Sequence, residues 1–119
     1  MKQKSILIVE DEVSNFELLK AMMRKLDVKI FWAKNGRNAL KLCLETTFDL
    51  ILMDIKMPGM NGYEVTSIIR GNGNDTPIIA QTAYARAEDE QSILGKGFNG
   101  YLAKPIDREK LLAIVEKYT

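Results

Sequence analysis

Ile6-Leu7-Ile8-Val9-Glu10-Asp11 is the stretch on which the fold turns. Its aliphatic residues, mostly β-branched and free of polar alternation, have the length and composition of a strand buried on both faces, as in a parallel sheet covered by helices. Four more short runs share that character: Val28 to Ala33, Leu50-Ile51-Leu52-Met53, Ile78-Ile79-Ala80 and Tyr101-Leu102-Ala103. The segments between and after them have a helical period. Phe16, Leu19, Met23 and Leu26 share one face, Leu40 with Cys43 or Leu44 a second, and Leu111, Ile114, Val115 and Tyr118 a third. Two further helices are marked by their ends: Tyr63 to Arg70 lies between Asn61-Gly62 and the turn Gly71-Asn72-Gly73-Asn74, and Ala87 to Leu94 stops at Gly95. Asp107 caps the last helix, although Lys110 stands where a full capping box needs an acid. Strand and helix alternate five times, which predicts an α/β domain with a doubly wound parallel sheet between two helical layers.

The 119 residues suffice for one core and leave no room for a second, so residues 1-119 are expected to form one domain. With 46% hydrophobic and 28% charged residues the composition is that of a soluble globular protein, and a net charge of +1 supplies no field for gathering nucleic acid or coating a membrane. No direct nucleic-acid binding is therefore expected. The aliphatic run after Met1-Lys2-Gln3-Lys4-Ser5 is too short for a signal-peptide core or a membrane span, which points to the cytoplasm. Cys43 is alone and cannot form an intramolecular disulfide; a small buried hydrophobe in a reducing compartment is its expected role. Histidine is absent, which removes His triads, His bases and His-ligated metals together. Chemistry must rest on carboxylates, hydroxyls, lysines and backbone amides.

In a doubly wound sheet, ligands bind outside the carboxyl ends of the strands, where strand order reverses. At those ends the sequence places Glu10-Asp11, Asp54, Thr82 and Lys104-Pro105. Taken singly, the acidic pair could be helix N-terminal charge and Asp54 a turn residue. Their joint arrival at one edge argues for a site. Three carboxylates about 5 Å apart repel by roughly 3 kcal/mol per pair at an effective dielectric near 20, so the cluster needs cations. Lys104 supplies one charge and a divalent metal two. The all-oxygen donor set favours magnesium, and no twelve-residue calcium loop occurs. A carboxylate beside magnesium and a lysine can act as a nucleophile toward phosphorus, giving an aspartyl phosphate whose equatorial oxygens the fixed charges stabilise.

Four blocks now carry a family resemblance: Ile6 to Asp11, then Met53-Asp54-Ile55-Lys56-Met57-Pro58-Gly59-Met60-Asn61-Gly62, then Pro77-Ile78-Ile79-Ala80-Gln81-Thr82-Ala83, and Tyr101-Leu102-Ala103-Lys104-Pro105. In order and spacing they resemble the signature blocks of the receiver domains of two-component response regulators. The resemblance implies a flavodoxin-like five-stranded sheet of order 2-1-3-4-5 with five helices. It implies that Asp54 is the phosphoacceptor, Asp11 a direct magnesium ligand, Glu10 a ligand through water, and the Lys56 carbonyl the last protein contribution to the metal shell. Thr82 and Lys104 would contact the phosphoryl group, and Thr82 with Tyr101 would pass its presence to the fourth helix, fifth strand and fifth helix. The donor would be a histidine kinase or histidine phosphotransfer protein, and the receiver of the signal a downstream protein or an attached domain. Glu10-Asp11 in place of two aspartates, Asn15, and Asp54-Ile55-Lys56-Met57-Pro58 are similar to receivers of hybrid histidine kinases.

Two rim residues complete the expectations. Lys56 and Tyr84, each two past a strand-end site residue, should cover the approach of a hydrolytic water and lengthen the life of the phosphate. Leu18 and Met22, off the Phe16-Leu19-Met23 stripe, should offer apolar surface to the phosphodonor. A phosphatase of the haloacid dehalogenase type, the main alternative, wants an aspartate where Lys56 stands. A flavin site fails on the absence of a Ser/Thr/Gly phosphate loop after the first strand. A pseudo-receiver would have lost an acid, Thr82 or Lys104. Gly95-Lys96-Gly97 lacks the spacing of a phosphate loop and reads as a helix stop.

Overall fold

The computed structural model describes residues 3–83 and 87–119, with the backbone alone for 87–89. The chain runs β1 (Lys4–Val9), α1 (Val13–Met22), β2 (Val28–Ala33), α2 (Gly36–Glu45), β3 (Leu50–Asp54), α3 (Gly62–Gly71), β4 (Ile78–Thr82), α4 (Ala87–Leu94), β5 (Gly100–Ala103) and α5 (Arg108–Tyr118). All strand pairings are parallel and the order is β2-β1-β3-β4-β5, as the resemblance implies.

Side chains alternate along each strand and build two cores. Leu7, Val9, Ile51, Met53, Ile78 and Ala80 pack with Ala39, Val65, Ile69 and Ile93 on the α2, α3 and α4 side. Ile6, Ile8, Leu50, Leu52, Ile79 and Leu102 pack with Phe16, Leu19, Leu111 and Val115 under α1 and α5. Burial on both faces explains why the strands read as unbroken aliphatic runs. On α2 the inward face is Ala39, Leu40 and Cys43; Leu44 is 78% exposed, one step too far round the helix, and is thereby removed from the core face. Cys43 is half-buried, and burial pushes its thiol pKa up.

The junction of β3 with α3 is tight. Asn61 caps α3, its Oδ1 accepting from the Glu64 amide at 3.0 Å while Glu64 Oε1 accepts from the Asn61 amide at 3.2 Å. This capping box starts the helix within a few residues of β3. The next amide, Gly62, donates to the Ile55 carbonyl at 2.9 Å. At the opposite end of the sheet, Arg70 donates to the carbonyls of Gly97, Asn74 and Thr76 and to Asn99 Oδ1, joining α3 to the loops before β4 and β5.

A side chain at Gly62 would collide with the strand that ends in Asp54. A Cβ there would press on the Asp54 carbonyl oxygen and stand 2.9 Å from the Ile55 Cα, both backbone atoms that cannot swing aside. Gly62→Ala is expected to lower unfolding free energy in urea by about 1–3 kcal/mol, the usual cost of overpacking. An unchanged midpoint would show that α3 can retreat from β3 without loss.

Candidate functional site

β1, β3 and β4 end at one edge of the sheet, and the alternation that fills the lower core aims the residues just beyond it. Continuing past Ile8 and Leu52 on the α1–α5 face come Glu10 and Asp54. Both are buried, at 0% and 3% exposure. Lys104, just after β5, reaches back across β4: its Nζ lies 3.1 Å from Asp54 Oδ1 and 3.6 Å from Glu10 Oε1. A cleft of about 470 Å³ opens over them, walled by Glu12, Asp54, Lys56, Thr82, Ala83 and Lys104.

The electrostatics are those of an under-neutralised acidic cluster. Carboxylate oxygens of Glu10, Asp11 and Glu12 lie within 4.8 Å of one another. Burial, then repulsion from Asp54, pushes the Glu10 pKa up to about 7, against the Glu12 amide that donates to Oε2 at 3.2 Å and the attraction of Lys104. Burial also raises the Asp54 pKa, opposed chiefly by Lys104. For Lys104 burial works against the ammonium, but Asp54 and then Glu10 outweigh it and hold its pKa above the ordinary lysine value. Glu10 Oε1 has no hydrogen-bond partner, since Lys104 at 3.6 Å is an ion pair only; a bond to Asp54 would need a proton shared between the two acids. An orphaned buried oxygen among all-oxygen donors fits a hard divalent cation such as magnesium.

The anticipated residues divide as follows. Glu10, Asp11, Asp54, Thr82 and Lys104 come together at the carboxyl edge, and Lys56 lines the cleft with its side chain exposed. Tyr101 is half-buried on the α2–α3–α4 core, and Thr82 follows Ala80 onto that same sheet face. Tyr84 lies outside the described residues. Leu18 is 46% exposed, but Met22 is not the free apolar surface anticipated: it is half-buried against the α1–α5 core, being one turn from Leu19 and adjacent to Met23.

Three contributors were not foreseen. Glu12 is the third carboxylate of the cluster and was visible in the run Glu10-Asp11-Glu12. Gln81 is buried beside the cleft; a polar residue in an otherwise aliphatic strand was its signal. Trp32 on β2 donates its indole N–H to the Glu10 carbonyl at 2.8 Å while stacking on Phe16 at 4.3 Å, a contact no spacing announces.

Residues 6–116 match the family described as response regulator receiver domain. The chain is 35% identical to the sensor histidine kinase GacS of Pseudomonas protegens, over 96% of this chain and 13% of that protein. With the signal transduction histidine-protein kinase BarA of Escherichia coli it shares 34% identity over 96% of its length, again spanning 13% of the relative. The chain thus spans about an eighth of these curated relatives. Among solved structures, it resembles the receiver domain of a sensor histidine kinase from Pseudomonas aeruginosa, which has a magnesium ion coordinated in its active-site cleft: TM-score 0.87, 37% identity, 98% of each chain. The chemotaxis response regulator CheY4 of Vibrio cholerae superposes with TM-score 0.90 at 28% identity, covering 99% of this chain and all of the other.

The crowding of acids makes a stability prediction for the metal-free protein. The folded pKa of Glu10 lies above its ordinary value, so the stability it contributes is present at low pH and lost as pH rises through about 7. In a chelator, stability should fall from about pH 5 to about pH 8, and Asp54→Asn, which removes a repelling neighbour, should raise the melting midpoint at the upper pH by about 4 °C. Excess magnesium should narrow that gap by stabilising the parent more. A metal-free Asp54→Asn that melts below the parent at the upper pH would contradict the repulsion argument.

Proposed function

The chain belongs to the response regulator receiver domains, a family of two-component signalling, and on that premise we propose that it is a phosphoacceptor switch whose nucleophile is Asp54. The observation that carries this reading is the buried Asp54 carboxylate under an open cleft, with the Lys104 ammonium 3.1 Å from it and 3.6 Å from Glu10 of the acidic cluster.

In this reading the donor is a phosphohistidine of a histidine kinase or histidine phosphotransfer protein. An Asp54 oxygen attacks phosphorus in line; the P–O bond forms as the P–N bond breaks, and the imidazole nitrogen keeps the electron pair and takes up a proton. Burial leaves Asp54 poorly hydrated and raises its pKa, while the Lys104 ammonium beside it favours the carboxylate form that attacks. The Lys104 ammonium and the Thr82 hydroxyl, both on the cleft wall, meet the phosphoryl oxygens as charge redistributes. Glu10, Asp11, Asp54 and the Lys56 carbonyl would hold magnesium, which when bound neutralises the carboxylates and phosphoryl oxygens. The Lys56 side chain, exposed on the rim, obstructs the approach of a hydrolytic water. The chemistry is confined to the domain's own phosphorylation and dephosphorylation.

The output runs through the other sheet face. Thr82 and Tyr101 lie on it from adjacent strands, so a Thr82 hydroxyl drawn to a phosphoryl oxygen vacates space beside β5 and lets Tyr101 turn inward. Inverting a 1:99 population needs about 5.5 kcal/mol of differential interaction, which the metal, the Lys104 pair and the Thr82 bond supply together. The altered face of α4, β5 and α5 is read by a downstream protein or an attached domain, in the cytoplasm and without direct contact to nucleic acid. Among the described residues no helix is long and apolar enough to cross a membrane. A haloacid dehalogenase type phosphatase is not supported, since Lys56 stands where its second aspartate belongs.

Incubation with acetyl phosphate and magnesium should add one hydroxylamine-labile phosphoryl group, seen by mass spectrometry, and Asp54→Asn should add none. Uptake by that variant at the parental rate would refute the assignment. In the same preparation Lys56→Asn should lose phosphate faster, up to about tenfold, or 1.4 kcal/mol of barrier; an equal decay removes Lys56 from the rim argument. Beryllofluoride with magnesium should shift NMR signals of Tyr101 and of residues 87–94. Silence there would sink the proposed output route.

A further inference from the structure

One side chain at the site has no account so far. Gln81 is 1% exposed, and neither its Oε1 nor its Nε2 has a hydrogen-bond partner. A buried amide without a protein partner is costly where a leucine of similar size is not, and its place on the cleft wall points to partners supplied through the cleft.

Its position says which. Side chains alternate along β4, and Ile79 belongs to the α1–α5 core, so Gln81 issues onto that same face. In register it stands beside Asp54 on β3 and beside Leu102 on β5, two residues before Lys104. The Lys104 side chain starts beyond β5 and ends 3.1 Å from Asp54 on β3, so it crosses the whole of β4, where Gln81 stands. Gln81 also lines the cleft together with Asp54, Thr82 and Lys104. Among the described residues, charged groups on this sheet face at this edge include Glu10, Asp54 and Lys104.

In the resting chain Lys104 is drawn forward by two carboxylates. Glu10, Asp11 and Asp54 would share a bound dication, which would take over much of that neutralisation, and the ammonium, with three donors, would then use another acceptor to stay above Asp54. A neutral amide oxygen can hold it without competing for its charge, and the amide N–H can steady the carboxyl group below. Resting on the phosphoacceptor reading, we propose that Gln81 is a positioning residue for phosphoryl transfer: in the loaded site its Oε1 accepts from the Lys104 ammonium and its Nε2 donates to the Asp54 carboxyl group.

The test has two arms. In the parent, the Gln81 side-chain amide signal, identified by its loss in Gln81→Leu, is followed by NMR as magnesium chloride and then beryllofluoride are added. It should move with these additions. In kinetics, Gln81→Leu should take phosphate from acetyl phosphate and magnesium roughly tenfold more slowly, about 1.4 kcal/mol of barrier, while its metal-free melting midpoint equals or exceeds the parent's. An amide signal unmoved by either addition, or a variant phosphorylated at the parental rate, overturns the proposal. If the variant does not fold, the NMR arm on the parent decides alone. A parent that takes up no phosphate at all refutes the phosphoacceptor reading itself, which separates the two failures.

Discussion

Mutual repulsion among carboxylates at the carboxyl edge of the sheet is the constraint around which this molecule is arranged. Glu10 and Asp54 are buried, Asp11 and Glu12 stand beside Glu10, and Lys104 bridges Glu10 and Asp54. A parallel sheet makes the crowding unavoidable, because every strand ends at the same edge and the alternation of side chains turns Glu10 and Asp54 the same way. The apolar remainder of the sheet supplies the stability that tolerates it. Such a site is poised: a dication or a change of charge at Asp54 alters the balance of a whole edge.

Much of this was legible in the sequence. The strands are buried on both faces, so their aliphatic runs stand out, and the first polar residue after each run marks the edge; Glu10, Asp54 and Lys104 follow from that alone. Helix α5 was legible from period and α4 from its glycine stop; α1 was legible in part, since it ends at Met22 and Met23 and Leu26 of its expected face reach the same core from the turn that follows. What escaped depends on contacts distant in sequence or on rotation within an element. Leu44 and Cys43 compete for one helical face, and only the packing of α2 on α3 decides between them. Arg70 finds its four oxygens in loops up to 29 residues away. Gln81 lay inside a quoted block, but its burial without a partner is a property of the folded sheet.

The two ends of the sheet handle charge by different means. At the carboxyl edge, acids face each other and a lysine, and the pKa values of Glu10 and Asp54 rise. At the other edge, Arg70 donates to four carbonyl and amide oxygens, all neutral groups, and Asp75 adds attraction from a carboxylate. Charge satisfied by neutral oxygens stays put when ions come and go, which suits an anchor. Charge satisfied by other charges responds to them, which suits a switch.

The indole of Trp32 gives this arrangement an optical side. It is the chain's single tryptophan, it stacks on Phe16, Lys34 lies 5.2 Å over its ring, and its N–H is bonded to the carbonyl of Glu10. An excited indole is sensitive to charge near its ring and to the strength of its N–H bond. With no second tryptophan to dilute the signal, indole emission excited selectively over the four tyrosines reports on one peptide group, so the chain carries its own label-free probe of charge at the acidic edge.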